Sequence, residues 1–145
     1  MATMGQIVAG HKRGVLSISS ESSVFNALEL MAKADVGALV VMDGARVAGL
    51  FTERDYARKV ILQDRSSRDC KVGELMGEAV QVDHGGTLEQ AMGLMATGAK
   101  RIRYLVVVEA GVPQGVVSIG DLIKLQMAGQ EVALHALEQY VTGGH

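Results

Sequence analysis

Tryptophan is absent from this chain, and proline and cysteine occur once each. Three tyrosines and two phenylalanines are its only aromatic residues. So few rings leave little to stack on unpaired bases, which weakens any reading as a single-strand nucleic-acid binder. The net charge of −2 gives no general attraction to a phosphate backbone either. A lone cysteine, Cys70, excludes an internal disulfide and fits a reducing compartment. No apolar run approaches the length of a membrane span. The opening MATMGQIVAGHKRG lacks the long apolar stretch of a secretory signal, so the expected location is the cytoplasm. His11, His84, His135 and His145 are scattered without ligand spacing, so no metal site is expected. With no nucleophile–base pair, metal cluster or Walker loop in the sequence, no catalytic activity is expected.

What is present argues for a folded globule. Of 145 residues, 48% are hydrophobic and 21% charged, enough to bury a core without staples. The length suits one compact unit or two small ones. Eighteen glycines announce many tight turns and close backbone approaches.

One stretch organises the chain because it comes round again. Gly49-Leu50-Phe51-Thr52-Glu53-Arg54-Asp55 is echoed by Gly115-Val116-Val117-Ser118-Ile119-Gly120-Asp121, each Gly, hydroxyl and Asp 66 residues from its counterpart. An apolar run ending in a hydroxyl residue and followed by helix formers reads as strand-to-helix, with the hydroxyl at the N-cap and the Asp at N3. A capping box accounts for either copy alone, since hydroxyl and acid then satisfy each other's backbone donors. The same geometry also points two side chains and several unpaired N–H groups at one spot. Two copies at fixed spacing, each behind a Gly, favour the second reading.

Around these anchors the chain falls into order. Met4 to Ala9 is a short lead-in, and His11-Lys12-Arg13-Gly14 a basic loop, either solvated or phosphate-facing. Val15 to Ile18 is a short strand. Ser23 to Lys33 carries Val24, Ala27, Leu28, Leu30 and Met31 at helical spacing. Val36 to Met42 is a buried strand, Asp43-Gly44 a hairpin turn, and Ala45 to Phe51 the returning strand. Thr52 starts a helix with Tyr56, Val60, Ile61 and Leu62 on its apolar side. Gln63 to Cys70 is polar and reads as a linker. A second unit follows: a helix over Val72 to Met76, a strand near Val80 to Val82, and a helix capped by Thr87 with Gln90. Leu88, Ala91, Met92, Leu94 and Met95 form that helix's inner face. Tyr104 to Val108 is the buried strand, Ala110-Gly111 the turn and Val112 to Val117 the return. Ser118 starts the last helix of the unit. A further helix near Glu131 to Val141 holds Val132, Leu134, Leu137 and Val141.

The expected organisation is a lead-in (1–14), repeat one (15–62), linker (63–71), repeat two (72–127) and a terminal helix and tail (128–145). Val24 matches Leu88 and Met31 matches Met95, both 64 apart, whereas Leu39 matches Leu105 at 66, so a two-residue insertion falls near Ala99 to Arg103. The fold class is α/β (α+β): two tandem β-α-β-β-α repeats packed sheet to sheet with pseudo-two-fold symmetry, because a lone three-stranded sheet would leave one face bare.

The doubled string "Val-x-x-Ala-Leu-x-x-Met … Gly-Ala-Leu-Val-Val … Gly-Leu-Phe-Thr-Glu-Arg-Asp" resembles a pair of cystathionine-β-synthase (CBS) domains, a Bateman module, over about Val15 to Leu125. The run from Thr52 to Ser67 further resembles CBS pairs without an attached enzyme or channel. The resemblance implies a regulatory homodimer that binds an adenosyl nucleotide, such as AMP, ADP, ATP, NAD(H) or S-adenosylmethionine, without any required cofactor. Carried over by position, it implies one pocket of Thr52, Arg54 and Asp55 with Val80, Ile102, Arg103 and Tyr104, to which the cation Arg58 beside the helix start is added as an expected binder. It implies another of Ser118 and Asp121 with Lys12, Gly14, Leu16, Val36, Gly37 and Ala38.

Each role has a physical reason. A carboxylate accepts from both vicinal hydroxyls of a ribose, and a helix start favours phosphate. Gly37 and Ala38 permit close approach to adenine. The cations Arg54, Arg58 and Lys59 either face phosphates or form a solvated helix face. They make the first pocket the polyphosphate candidate. Where many family members carry Arg-His-Leu-Pro-Val, this chain has Arg103-Tyr104-Leu105-Val106-Val107; Tyr104 either stacks on adenine or packs. The competing expectation is an interaction protein whose pockets are vestigial.

Overall fold

The two nearly continuous apolar runs become the middle strands of two separate sheets. The computed structural model describes residues 2–11, 14–97 and 102–141, with backbone alone for 131–136 and 139–141. Its elements are α1 (Met4–Gly10), β1 (Ser17–Ser19), α2 (Val24–Ala34), β2 (Ala38–Asp43), β3 (Arg46–Thr52) and α3 (Glu53–Tyr56), which runs into a π-helical turn (Ala57–Ile61). Then come α4 (Val72–Leu75), β4 (Gln81–Asp83), α5 (Leu88–Ala96), β5 (Tyr104–Glu109), β6 (Val112–Ser118) and α6 (Ile119–Val141). Each sheet has three strands, ordered β1-β2-β3 and β4-β5-β6. In both, the first pair is parallel and the second antiparallel.

Strand alternation sends successive side chains to opposite faces. On one face Leu39, Val41 and Phe51 pack with Val24, Ala27 and Met31 of α2 in a first core. Leu105, Val107 and Val117 do the same with Ala91 and Leu122 in a second. On the other face Ala38, Val40, Leu50 and Val106 form a third cluster, which joins the two sheets. Both middle strands are therefore covered on both sides, which is why their sequences read as unbroken apolar runs.

Each core is completed by a helix from outside its own β-α-β-β-α stretch. Helix α4, which opens the second repeat, places Val72 and Leu75 in the first core. The lead-in helix α1 places Met4 and Val8 in the second. The contact explains the repeated glycine. A Cβ on Gly49 would lie 2.7 Å from Gly77 O, and one on Gly115 would lie 3.0 Å from Val8 Cβ. Both glycines let a helix or its trailing loop cross directly over a strand.

Several expectations change. Ile61 and Leu62, read as an apolar face, are 55% and 77% exposed. The Leu62 N–H reaches back to Ala57 O at 3.1 Å, and the extra residue per turn rotates the face after Val60. Met92 is likewise exposed, one position round from buried Ala91. The segment read as a linker is tied to the start of α2: the Val24 N–H donates to Cys70 O and the Phe25 N–H to Ser67 O, both at 2.9 Å. Cys70 itself is buried in the first core. The last two helices are one, because Gly129 costs a helix roughly 1 kcal/mol and no proline interrupts it. The hairpin residues are Gly44 and Ala45, between paired Asp43 and Arg46. Lys12, the part of the expected insertion from Ala99 to Arg101, and the side chains of Val132, Leu134 and Val141 lie outside the described residues. Among those described, no helix is long and apolar enough to cross a membrane.

Met4→Ala tests the crossed packing. It should destabilise the protein by about 2–5 kcal/mol in urea unfolding. The exposed Leu62→Ala should stay within about 0.5 kcal/mol. A silent Met4→Ala would detach α1 from the second core.

Candidate functional site

The two strand-to-helix corners are built alike. Thr52 caps α3: its hydroxyl accepts from the Asp55 N–H at 3.2 Å, and Asp55 Oδ2 accepts from the Thr52 N–H at 2.9 Å. The Thr52 hydroxyl also donates to Asp55 Oδ2 at 3.0 Å. At the second corner Asp121 Oδ2 accepts from the Ser118 N–H at 2.8 Å, and Ser118 Oγ from the Asp121 N–H at 3.1 Å. Both carboxylates thus turn back onto their own main chain, as a capping box requires.

Two of the first three N–H groups of each helix are taken. Besides the N3 bonds, the Glu53 N–H donates to Gly37 O at 3.1 Å and the Ile119 N–H to Arg103 O at 2.9 Å. The helix mouths therefore offer fewer unpaired donors than the sequence suggested. What each Asp retains is its second oxygen. Asp55 Oδ1 lies 3.2 Å from Lys59 Nζ, which also donates to Leu75 O at 3.0 Å. Asp121 keeps only one further neighbour among the described residues, His11, whose Nε2 is 3.5 Å from Oδ2.

Each corner opens on a cleft walled by the other repeat. The larger, of about 540 Å³, brings together Thr52, Arg54, Asp55, Val80, Ile102, Arg103 and Tyr104, seven of the eight residues expected there. The smaller, of about 220 Å³, brings together Gly14, Leu16, Val36, Gly37, Ala38, Ser118 and Asp121. The eighth residue of that set, Lys12, lies outside the described residues.

Arg58 is a correction: it is exposed and lines neither cleft. Lys59, one turn beyond Asp55, takes its place, because positions four apart share a helix face.

Other lining residues were not foreseen. Leu50, Glu53, Gly77 and Glu78 belong to the larger cleft, and His11, Asp35 and Val116 to the smaller. The repeat held a signal for one of them: Glu78 stands 64 residues from Gly14, an expected lining residue. Gly37 and Tyr104 line both clefts. Burial, and secondly the Glu53 carboxylate, push the Tyr104 hydroxyl above its ordinary pKa, with Arg103 pulling the other way. The larger cleft carries Arg54, Lys59 and Arg103 against Glu53, Asp55 and Glu78. No three His, Cys, Asp or Glu side chains converge as a metal site would, among the described residues.

Two crossed repeats, each lending a strand head to the other's helix mouth, match a known pattern. A family model described as CBS domain fits residues 6–62 and again 72–128. The chain belongs to the CBS-domain family.

It is similar to the mitochondrial CBS domain-containing protein CBSX3 of Arabidopsis thaliana, with 36% identity over 88% of this chain and 64% of that protein. This CBS pair therefore spans somewhat less than two thirds of that relative's length. CBS domain-containing protein YhcV of Bacillus subtilis is 32% identical, over 80% of this chain and 81% of that one. Among solved structures, a CBS-domain protein from Burkholderia ambifaria superposes with a TM-score of 0.79 at 39% identity, covering 89% of this chain and 96% of its own.

The corners of the CBS pair can be tested apart from any ligand. Thr52→Ala and Ser118→Ala each remove a cap and should cost about 0.5–2 kcal/mol in urea unfolding. An unchanged midpoint for both would mean that the hydroxyl–carboxylate pairs do not hold the helix starts.

Proposed function

We infer that this CBS pair is a non-catalytic, cytoplasmic regulator that binds an adenosyl nucleotide (AMP, ADP, ATP or NAD(H)) in the larger cleft. The observation that carries the reading is the meeting of Asp55 and three cations in one cavity between the repeats. Its volume lies within the roughly 300–1,000 Å³ usual for small-ligand sites. Asp55 turns its remaining oxygen toward a ribose diol, which a carboxylate binds more strongly than a neutral acceptor does. Arg54, Lys59 and Arg103 supply the charge for phosphates. Val80 and Ile102 supply apolar wall for a base.

A second reading has its own support. Because both carboxylates already serve their own helices, the corners would look the same in an interaction protein whose clefts bind nothing. Thermal shift separates the two. A nucleotide that binds the folded chain at a hundred times its Kd adds about 2.7 kcal/mol, or roughly 5–10 °C of melting temperature at this size. AMP, ATP, NADH and S-adenosylmethionine are the probes. At least one should raise the melting point, and Asp55→Asn, which keeps an oxygen for the cap, should lose most of the rise. No shift with any of them leaves the interaction reading standing.

The protein is also inferred to be a homodimer. Ile119, Ile123 and Met127 stand at four-residue spacing along α6 and are all exposed, as is Met92 on α5. Ile61, also exposed, is the first repeat's counterpart of Met127, 66 residues earlier. Two apolar patches at matching places suit a partner that covers both. The wild type should sediment as a dimer at micromolar concentration and the double variant Ile123→Glu, Met127→Glu as a monomer. A monomeric wild type would refute the assembly.

A further inference from the structure

The clefts share one wall, and it is made unequally by the two repeats. Each repeat heads its middle strand with a residue directly opposite the hydroxyl of its own corner: Ala38 faces Thr52, and Tyr104 faces Ser118. These strand heads are 66 residues apart and occupy the same place in the repeat. Where the first repeat has a methyl group, the second has a phenol. The phenol reaches across to the first repeat, and its hydroxyl comes to rest over Gly37. A Cβ on Gly37 would lie 2.7 Å from Tyr104 Oη and 3.8 Å from Glu53 Oε1. Tyr104 and Gly37 are therefore the plane between the clefts, and each lines both.

We propose that Tyr104 is a partition that reserves the chain for one nucleotide, closing the Asp121 cleft to a ligand that the Asp55 cleft accepts. The proposal rests on the reading of the larger cleft as a nucleotide site. With the ring in place the smaller cleft holds about 220 Å³ against 540 Å³ for the larger, and so falls below the roughly 300 Å³ at which small-ligand sites begin. The corner beyond the ring is otherwise complete, with hydroxyl, carboxylate and a strand head of small residues. Bulk at this one position narrows a corner whose hydroxyl and carboxylate are both kept. The hydroxyl adds reach but no bond among the described residues, so phenylalanine should serve almost as well as tyrosine, and a small side chain should not serve at all.

Native mass spectrometry and calorimetry, with AMP and ATP as separate probes, give the stoichiometry. The wild type and Tyr104→Phe should take one nucleotide per chain. Tyr104→Ala should take two, and adding Asp121→Asn to it should return the count to one. Tyr104→Val, which suits a strand better, repeats the test if alanine unfolds the protein. Two nucleotides on the wild type would overturn the partition. So would a count that stays at one in the alanine and valine variants, or falls to none, which would make the ring a stacking surface of the larger site. A wild type that takes none would instead refute the nucleotide reading itself.

Discussion

Burial of Ala38, Val40, Leu50 and Val106 between the two sheets is the contact on which the rest of the architecture turns. A three-stranded sheet with helices on one face still presents its other, apolar face to water. Packing the two bare faces together removes that exposure. It also fixes which groups meet, because the strands that carry the apolar layer end in the strand heads and corners. Val40 belongs to the strand headed by Ala38, and Val106 to the strand headed by Tyr104. Bringing these strands face to face sets each repeat's strand head beside the other repeat's helix mouth. The clefts are thus consequences of hydrophobic burial, and neither exists in one repeat alone.

The corner carboxylates show how one residue can serve structure and site together. Asp55 is ordered by three hydrogen bonds with Thr52, which hold it whether or not anything fills the cleft. A ligand then need not meet the cost of fixing that side chain, which is the usual advantage of a preorganised group. The same fact removes the motif's power to discriminate. Hydroxyl-x-x-Asp before a helix is sufficient for capping, so its presence says where a helix begins. The lining of the cleft, not the box, is what bears on binding.

Features with local causes were legible in the sequence. Periodicity, the N-caps at Ser23, Thr52 and Thr87 and the capping box of Thr87 with Gln90 depend on neighbours a few residues away. The duplicated spacing then transferred each inference from one repeat to the other, and the lining of both clefts followed largely from it. What stayed hidden depends on phase or on distant partners. The π-helical turn after Tyr56 rotates the helix face beyond Val60 and exposes Ile61, while Lys59, not Arg58, stands four residues from Asp55. The crossing of α1 into the second core is a long-range contact whose only local trace is Gly115. The short polar run before Cys70 reads as linker because its backbone bonds to α2, unlike side-chain pattern, leave no mark on composition.

The departures from symmetry fall together on the clefts. At positions 66 apart, Arg54 faces its counterpart Gly120, Lys59 Leu125 and Arg103 Gly37, so every cation lining the larger cleft becomes a neutral residue at the matching place. The hydroxyl and the acidic anchor are kept in both. Among the described residues the smaller cleft carries Asp35 and Asp121 beside His11. An anion entering there meets two carboxylates among the described residues, in a confined space where charges are screened least. On the Thr52 side three cations balance three carboxylates, and a phosphate can pair with the former while a sugar occupies one of the latter. On the proposed reading, charge and the Tyr104 ring therefore act in the same direction, both favouring a phosphate-bearing ligand on the Thr52 side of the shared wall.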